Sequence, residues 1–393
     1  MTSGLNETAW PTSLAPSVPA VHGHLNALDG LRGLAIALVL VHNVGAEQGN
    51  FSTLWLKALF FVLAPGWAGV QLFFVLSGFL ITGILLDGPC DLRSFYVRRA
   101  LRIFPLYYTV LFILLVLRPR LVALPPEVID RLHFQGWYWS YLSNWVAPWK
   151  KEIDGFTHFW SLAVEEQFYL VWPLATLLLR RRAFLRFCIG IVAIAFTVRI
   201  LVHALSAPPL VAYEWTIARM DALALGAIAA LVVRDARLWA IVRAGLRRGF
   251  AASMAALLLL WPLSRGLNRD HVLTQTVGYL VLGVGCAQLV LLCVAGVGSE
   301  RLTAALSAGP LRFLGRYSYA IYVLHVPITR AIASRFDLGN PSAWRSFRAL
   351  VALEIAVAGL SIIGALLSWN LLEKHFLSLK ETLAPVRRDK ALQ

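Results

Sequence analysis

Few ionisable side chains interrupt the apolar stretches of this chain, and those few are of types that move protons or hold anions. His42 lies ten positions after Arg32 in LDGLRGLAIALVLVHN, about 15 Å further along a helix rising 1.5 Å per residue. Histidine exchanges a proton near neutral pH without help. A satisfied packing histidine is the competing reading. Glu165 and Glu166 stand side by side in WSLAVEEQFYLVWP, and carboxylates in an apolar run need partners or protonation. Ser161, Glu165, Tyr169 and Trp172 follow at i, i+4, i+8 and i+11 and form one polar-aromatic stripe. Glu165 is suited to orient a base such as His42 and to support its charged form, or to serve a buried structural pair.

Arg98, Arg99 and Arg102 cluster in FYVRRALRIFPLYY. Guanidinium forks three and four residues apart suit bidentate binding of phosphates; a plain topological anchor explains them too. Ser77-Gly78 breaks the apolar run FFVLSGFLIT. There glycine permits close helix approach and serine a hydrogen bond across helices. Ser318, Tyr319 and His325 enter another apolar run in GRYSYAIYVLHVPI, with Tyr319 and His325 placed to line one cavity or to pack.

The elements that carry these residues are membrane spans. Of the 393 residues 59% are hydrophobic and 15% charged, against roughly 25% charged in soluble domains. Apolar runs of about 20 residues recur, each long enough to cross a bilayer core, and helix is the backbone state that satisfies its own peptide groups there. The expected fold is all-α: a bundle of about ten transmembrane helices near 31–48, 68–87, 103–118, 158–179, 184–205, 217–233, 250–264, 272–297, 317–335 and 346–372. A short interfacial helix is expected over 54–64.

With both termini in the cytoplasm, the inner segments 88–102, 180–186, 234–249, 299–316 and 374–393 hold 21 of the 36 Lys and Arg, as the positive-inside rule requires. The net charge of +15 therefore reflects orientation in the membrane, not nucleic-acid binding. Residues 1–27 read as a disordered tail without the basic start of a signal peptide, 28–373 as the membrane domain, and 374–393 as a basic cytoplasmic tail. The 119–157 connection carries Trp137, Tyr138, Trp139, Tyr141, Trp145 and Trp149, aromatics that suit a membrane–water interface or a platform for sugar rings. Cys90, Cys188, Cys286 and Cys293 show no metal spacing and read as small apolar fillers. No metal site is expected.

Together and in order, LDGLRGLAIALVLVHN, FFVLSGFLIT, FYVRRALRIFP, WSLAVEEQFYLVWP and GRYSYAIYVLHVP resemble the acyltransferase 3 family of bacterial membrane O-acyltransferases, over about Leu28 to Leu372. The resemblance implies a bundle of about ten helices. It implies that His42 is the essential histidine and Arg32 the basic residue before it. It matches Arg99 and Arg102 to an arginine pair holding the acyl donor, with Arg98 beside them, and Glu165 to the acidic residue of VExQFY. Ser77 and Gly78 match the SGF element, and Ser318 and Tyr319 the SY element. Larger members carry an extracytoplasmic esterase-like domain, for which this chain is too short. One departure is plain. The family pattern has ten residues between the basic residue and the histidine, and here there are nine, so Asn43 takes the eleventh step. Eleven steps return within about 20° of the start and ten leave about 80°; a loosened turn at Gly33 would absorb the shift.

The expected reaction is acyl transfer from acyl-CoA, a co-substrate rather than a bound cofactor, to a carbohydrate hydroxyl of the cell envelope at the cytoplasmic (inner) membrane. CoA phosphates dock at Arg98, Arg99 and Arg102, His42 acts as base, Glu165 orients it, and Arg32, Ser77 or Tyr319 faces the oxyanion. Tyr169 and His325 complete the pocket. Direct transfer and a covalent acyl relay both fit. Acylation of a small secondary metabolite such as a macrolide is the nearest alternative, and a proton-coupled transporter the alternative of another class, although no internal repeat supports it.

Overall fold

The structure, a computed structural model, describes residues 25–43, 61, 64–88, 91–124, 126–149, 152–296, 300–335 and 347–385. Ten long helices organise them: α1 (Asn26–Val41), α2 (Ala68–Leu86), α3 (Leu92–Leu111), α4 (Phe159–Leu178), α5 (Arg181–Ala204), α6 (Thr216–Val232), α7 (Ala236–Leu263), α8 (Tyr279–Ala295), α9 (Gly309–Arg335) and α10 (Phe347–Ser368). No strand occurs among the described residues. Seven helical stretches are long and apolar enough to cross a membrane: those of α2, α3, α5, α6, α7, α8 and α10. α1, α4 and α9 fall outside that set, and these three carry most of the polar candidates. The proposed tail before residue 25, nearly all of the 54–64 helix, Cys90 and the last basic residues from Arg387 lie outside the described residues.

α2 is the hub. It packs against α1, α4, α6 and α8, while α9 lies along α1 and α10 along α9. Its closest crossing is with α6, where Gly78 faces the Leu223 carbonyl and Gly226 faces the Val75 carbonyl. A methyl group at either glycine would collide with backbone, so this is the close approach that Gly78 suggested. Cys188, Cys286 and Cys293 are buried fillers.

The ends of the bundle are tied. Arg234 grips Asp87 with two hydrogen bonds of 2.6 and 2.5 Å, and the Arg98 guanidinium donates twice to the Ala384 carbonyl, at 3.1 and 2.5 Å. Three of the basic segments assigned to one side thus meet at one end. The 119–157 connection folds into short helical turns instead of an open platform. Tyr141 stacks on Tyr107 at 4.0 Å, Trp139 on Tyr108 at 5.9 Å, and Trp145 packs against Trp215 at 5.1 Å. Tyr138 is buried and accepts a hydrogen bond from the Ile153 amide. Only Trp137 and Trp149 of the six are exposed, and the others pack at least partly within the fold.

Candidate active site

Two adjoining chambers lie in the bundle. The inner one, about 1010 Å³ with its mouth, is lined by Arg32 of α1, Ser77 of α2, Arg99 and Arg102 of α3, Glu165 and Tyr169 of α4, and Ser318 and Tyr319 of α9. The outer one, about 1020 Å³, is lined by His42, Asn43, Glu152, His158, Trp160, Tyr213, Glu214 and Arg269 among others. Val70 and Tyr322 border both. The wall between them is a hydrogen-bonded knot: Ser161 Oγ and the Tyr322 hydroxyl lie 2.5 Å apart, and the Tyr322 hydroxyl donates to the His158 carbonyl at 3.1 Å.

The inner chamber is organised by a triangle. Ser77 Oγ donates to Glu165 Oε1 at 2.7 Å, its oxygen lies 3.0 Å from the Tyr169 hydroxyl, and that hydroxyl is 3.3 Å from Glu165 Oε2. The Glu165–Tyr169 stripe of one helix face predicts this arrangement. The Ser77 hydrogen is thereby committed to a carboxylate and is not available as an oxyanion donor. The Arg99 guanidinium lies over the Tyr169 ring at 4.9 Å, a stacking that leaves its in-plane N–H groups for a ligand. Glu165 lies within electrostatic reach of Arg32 and Arg99. Among the described residues, however, none of Arg32, Arg99 and Arg102 forms an ion pair. Ser318 bonds within its own helix to the Gly315 carbonyl, and Tyr319 donates to the Ile103 carbonyl at 2.7 Å, fixing α9 to α3.

Several expectations change. Glu165 faces the inner chamber and His42 the outer, so Glu165 is bonded to Ser77 and Tyr169 and does not orient the imidazole. Arg32, in the second turn of α1, and His42, at its C-cap, likewise line different chambers. Gly33 is not loosened; it lies in regular helix against the Leu311 carbonyl, and the widening is a π turn at His42–Asn43. Arg98 lines neither chamber because it holds Ala384. His325 does not share the cavity of Tyr319. It is fully buried, with Nδ1 donating to the Tyr322 carbonyl at 2.6 Å and Nε2 accepting from Asn43 at 2.8 Å.

Sequence reasoning missed His158, the N-cap of α4. Its ring meets that of His325 at 4.8 Å and borders the outer chamber with His42. Its place just before WSLAVEE was the available signal. Also missed were the charges behind the outer chamber. Arg199 and Asp221 pair at 2.8 Å with both side chains buried. Arg219 donates to Gln71 at 2.7 Å inside a box formed by Phe74, Trp160, Tyr213 and Tyr279. No three His, Cys, Asp or Glu side chains converge as metal ligands among the described residues.

The family profile described as "Acyltransferase domain" matches residues 25–369. The chain is 29% identical to YrhL of Bacillus subtilis over 90% of its length and 55% of that protein's. It is 27% identical to the peptidoglycan O-acetyltransferase OatA of Listeria monocytogenes, over 84% of this chain and 54% of that one. It is 28% identical to the O-acetyltransferase OatA of Staphylococcus aureus, over 81% and 52%. The chain thus spans about half the length of these relatives. No solved structure matches it.

Proposed function

The chain belongs to the acyltransferase 3 family, and from that premise we propose that it moves an acetyl group from acetyl-CoA to a hydroxyl of a cell-envelope glycan, with peptidoglycan the first candidate acceptor. The observation that carries this reading is the division of charge between the chambers. Three arginines without ion pairs among the described residues face the inner chamber, and two imidazoles border the outer. An anion-binding end and a proton-accepting end are what a phosphate-bearing thioester donor and a hydroxyl acceptor require.

In this reading the donor phosphates lie at Arg99 and Arg102, on the cytoplasmic side, and the thioester arm extends toward the Ser161–Tyr322 wall. The acceptor enters the outer chamber, where Trp160 and Tyr213 offer ring faces and Glu152 and Glu214 offer hydrogen-bond acceptors. His42 removes the proton from the acceptor hydroxyl as its oxygen attacks the thioester carbonyl. The carbon–sulfur bond breaks, and the proton passes from the imidazole to the departing thiolate. Base catalysis of this kind contributes about 10²–10⁴-fold. Glu165 serves the donor end by holding Ser77 and Tyr169 beneath Arg99.

The test uses the purified full chain in lipid nanodiscs with labelled acetyl-CoA and glycan acceptor. His42→Ala is expected to abolish transfer while CoA binding persists, and Arg99→Gln with Arg102→Gln is expected to weaken CoA binding. Full transfer by the His42→Ala variant refutes the base assignment. Unchanged CoA affinity in the double arginine variant refutes the donor site.

A further inference from the structure

We propose that Lys380 is a fourth cation of the donor site and binds a phosphate of the nucleotide-borne acyl donor at the rim of the inner chamber. The inference rests on the donor reading above and adds a residue beyond the family-matched region, which ends at 369. Lys380 opens the short helix Lys380–Leu383, which packs on α3. One residue past that helix, the Ala384 carbonyl receives both hydrogen bonds from Arg98. The clasp fixes the helix on the arginine-bearing face of α3.

Three cations bear on Lys380, whose sequence neighbour Glu381 is acidic. It lies within electrostatic reach of Arg102, Arg98 and Arg99. Among the described residues no carboxylate pairs with it. Glu373, an acid within electrostatic reach of Arg102, accepts a hydrogen bond from Ser368 at 2.7 Å. A chain that clasps a lysine against three arginines accepts self-repulsion unless an anion neutralises it. Arginine forks with a lysine point charge are a recurrent set for phosphate. Arg98 spends two N–H groups on Ala384, so the lysine supplies the contact that Arg98 does not. A CoA thioester carries phosphates at two places on its nucleotide end. With its arm in the inner chamber, those phosphates remain near Arg99 and Arg102, and the Lys380 helix packs on α3, which carries both.

An anionic lipid headgroup presents the same chemistry, and the experiment separates the two. CoA binding to the full chain in detergent micelles is measured at low and high salt for wild type, Lys380→Gln, Lys380→Arg and Arg102→Gln. Lys380→Gln is expected to weaken binding by roughly 5–20-fold at low salt, with less loss at high salt, and Lys380→Arg to restore it within about 2-fold. In the wild type, CoA but not pantetheine is expected to shield Lys380 from an amine-reactive reagent, read by mass spectrometry, so the result does not depend on folding of a variant. Wild-type affinity in Lys380→Gln alongside a loss in Arg102→Gln overturns the inference and leaves the donor reading intact. Absence of wild-type CoA binding at millimolar concentration overturns both. If Lys380→Gln changes only retention of anionic phospholipid in nanodiscs, the lysine is a lipid contact and the inference fails.

Discussion

Arg199 and Asp221 give a perturbation whose size follows from geometry. Their side chains are 0% and 1% exposed and 2.8 Å apart, joining α5 to α6. Arg199 also donates to the Ala218 carbonyl at 2.5 Å and lies over Tyr279 at 5.7 Å. Deleting one partner of such a pair costs about 3–5 kcal/mol because the other charge is left buried. A lone charge at the centre of a membrane helix costs about 2.5–3.5 kcal/mol on insertion scales, so both routes give about 3 kcal/mol. Asp221→Leu alone and Arg199→Met alone are each expected to lose that much. The double variant is expected within about 1 kcal/mol of wild type, since replacing both partners by apolar groups is neutral or stabilising. Neither residue lines a chamber, so CoA binding should persist in the double variant. The assay is reversible unfolding in mixed micelles, with a double-mutant cycle to isolate the coupling. A double variant that costs the sum of the singles, about 6 kcal/mol, refutes the reasoning, as does a single variant that costs under about 1 kcal/mol.

Three further outcomes follow from the chambers. Ser77→Ala removes the 2.7 Å donor to Glu165, a charge-assisted bond of about 1.5–3 kcal/mol. It is expected to raise KM for acetyl-CoA and leave the pH profile of kcat in place; a shifted profile would return Glu165 to the proton-transfer step. Ser161→Leu fills the wall beside Tyr322 and should cut transfer by about 10²-fold with CoA affinity held, whereas parallel loss of both would mean a folding defect. Gly226→Val forces a side chain onto the Val75 carbonyl and should abolish monodisperse protein on gel filtration; normal yield would show that the α2–α6 crossing can relax.

The order of the helices was legible because an apolar run of membrane length has one backbone solution. The inner chamber was legible too. Ser161, Glu165 and Tyr169 share a helix face by arithmetic, and Arg99 and Arg102 lie one turn apart. What sequence spacing could not supply was distance between helices. Glu165 and His42 looked like partners because both are ionisable and intramembrane, yet α4 and α1 present them to different chambers. Arg98 looked equivalent to its neighbours until the C-terminal segment claimed it. Arg199 is a lone cation in an apolar run, and Arg219 and Asp221, two residues apart, point to different faces of their helix; only the fold joins Arg199 to Asp221 and encloses Arg219 in rings.

The placement of polarity has a physical logic that bears on the reaction. The apolar stretches of α5, α7 and α10 are only 28%, 17% and 22% buried within the protein, while those of α2, α6 and α8 are 72%, 67% and 61% buried. The first set faces outward, to lipid in a membrane, and the second forms an inner sheath. α1, α4 and α9 are the helices too polar or too short to qualify as spans on their own, and they meet α2 or each other. A helix carrying Arg32, or Glu165 and Glu166, is stable at membrane depth only where protein, not hydrocarbon, surrounds those groups. The sheath is therefore a condition for the chambers, and its tight seams set their width. Replacing Gly78 or Gly226 would widen α2 from α6 and move Ser77, one residue away, off Glu165. Lipid-facing substitutions on α7 would leave that spacing unchanged. Packing at the α2–α6 seam is thus expected to govern donor affinity as directly as the arginines do.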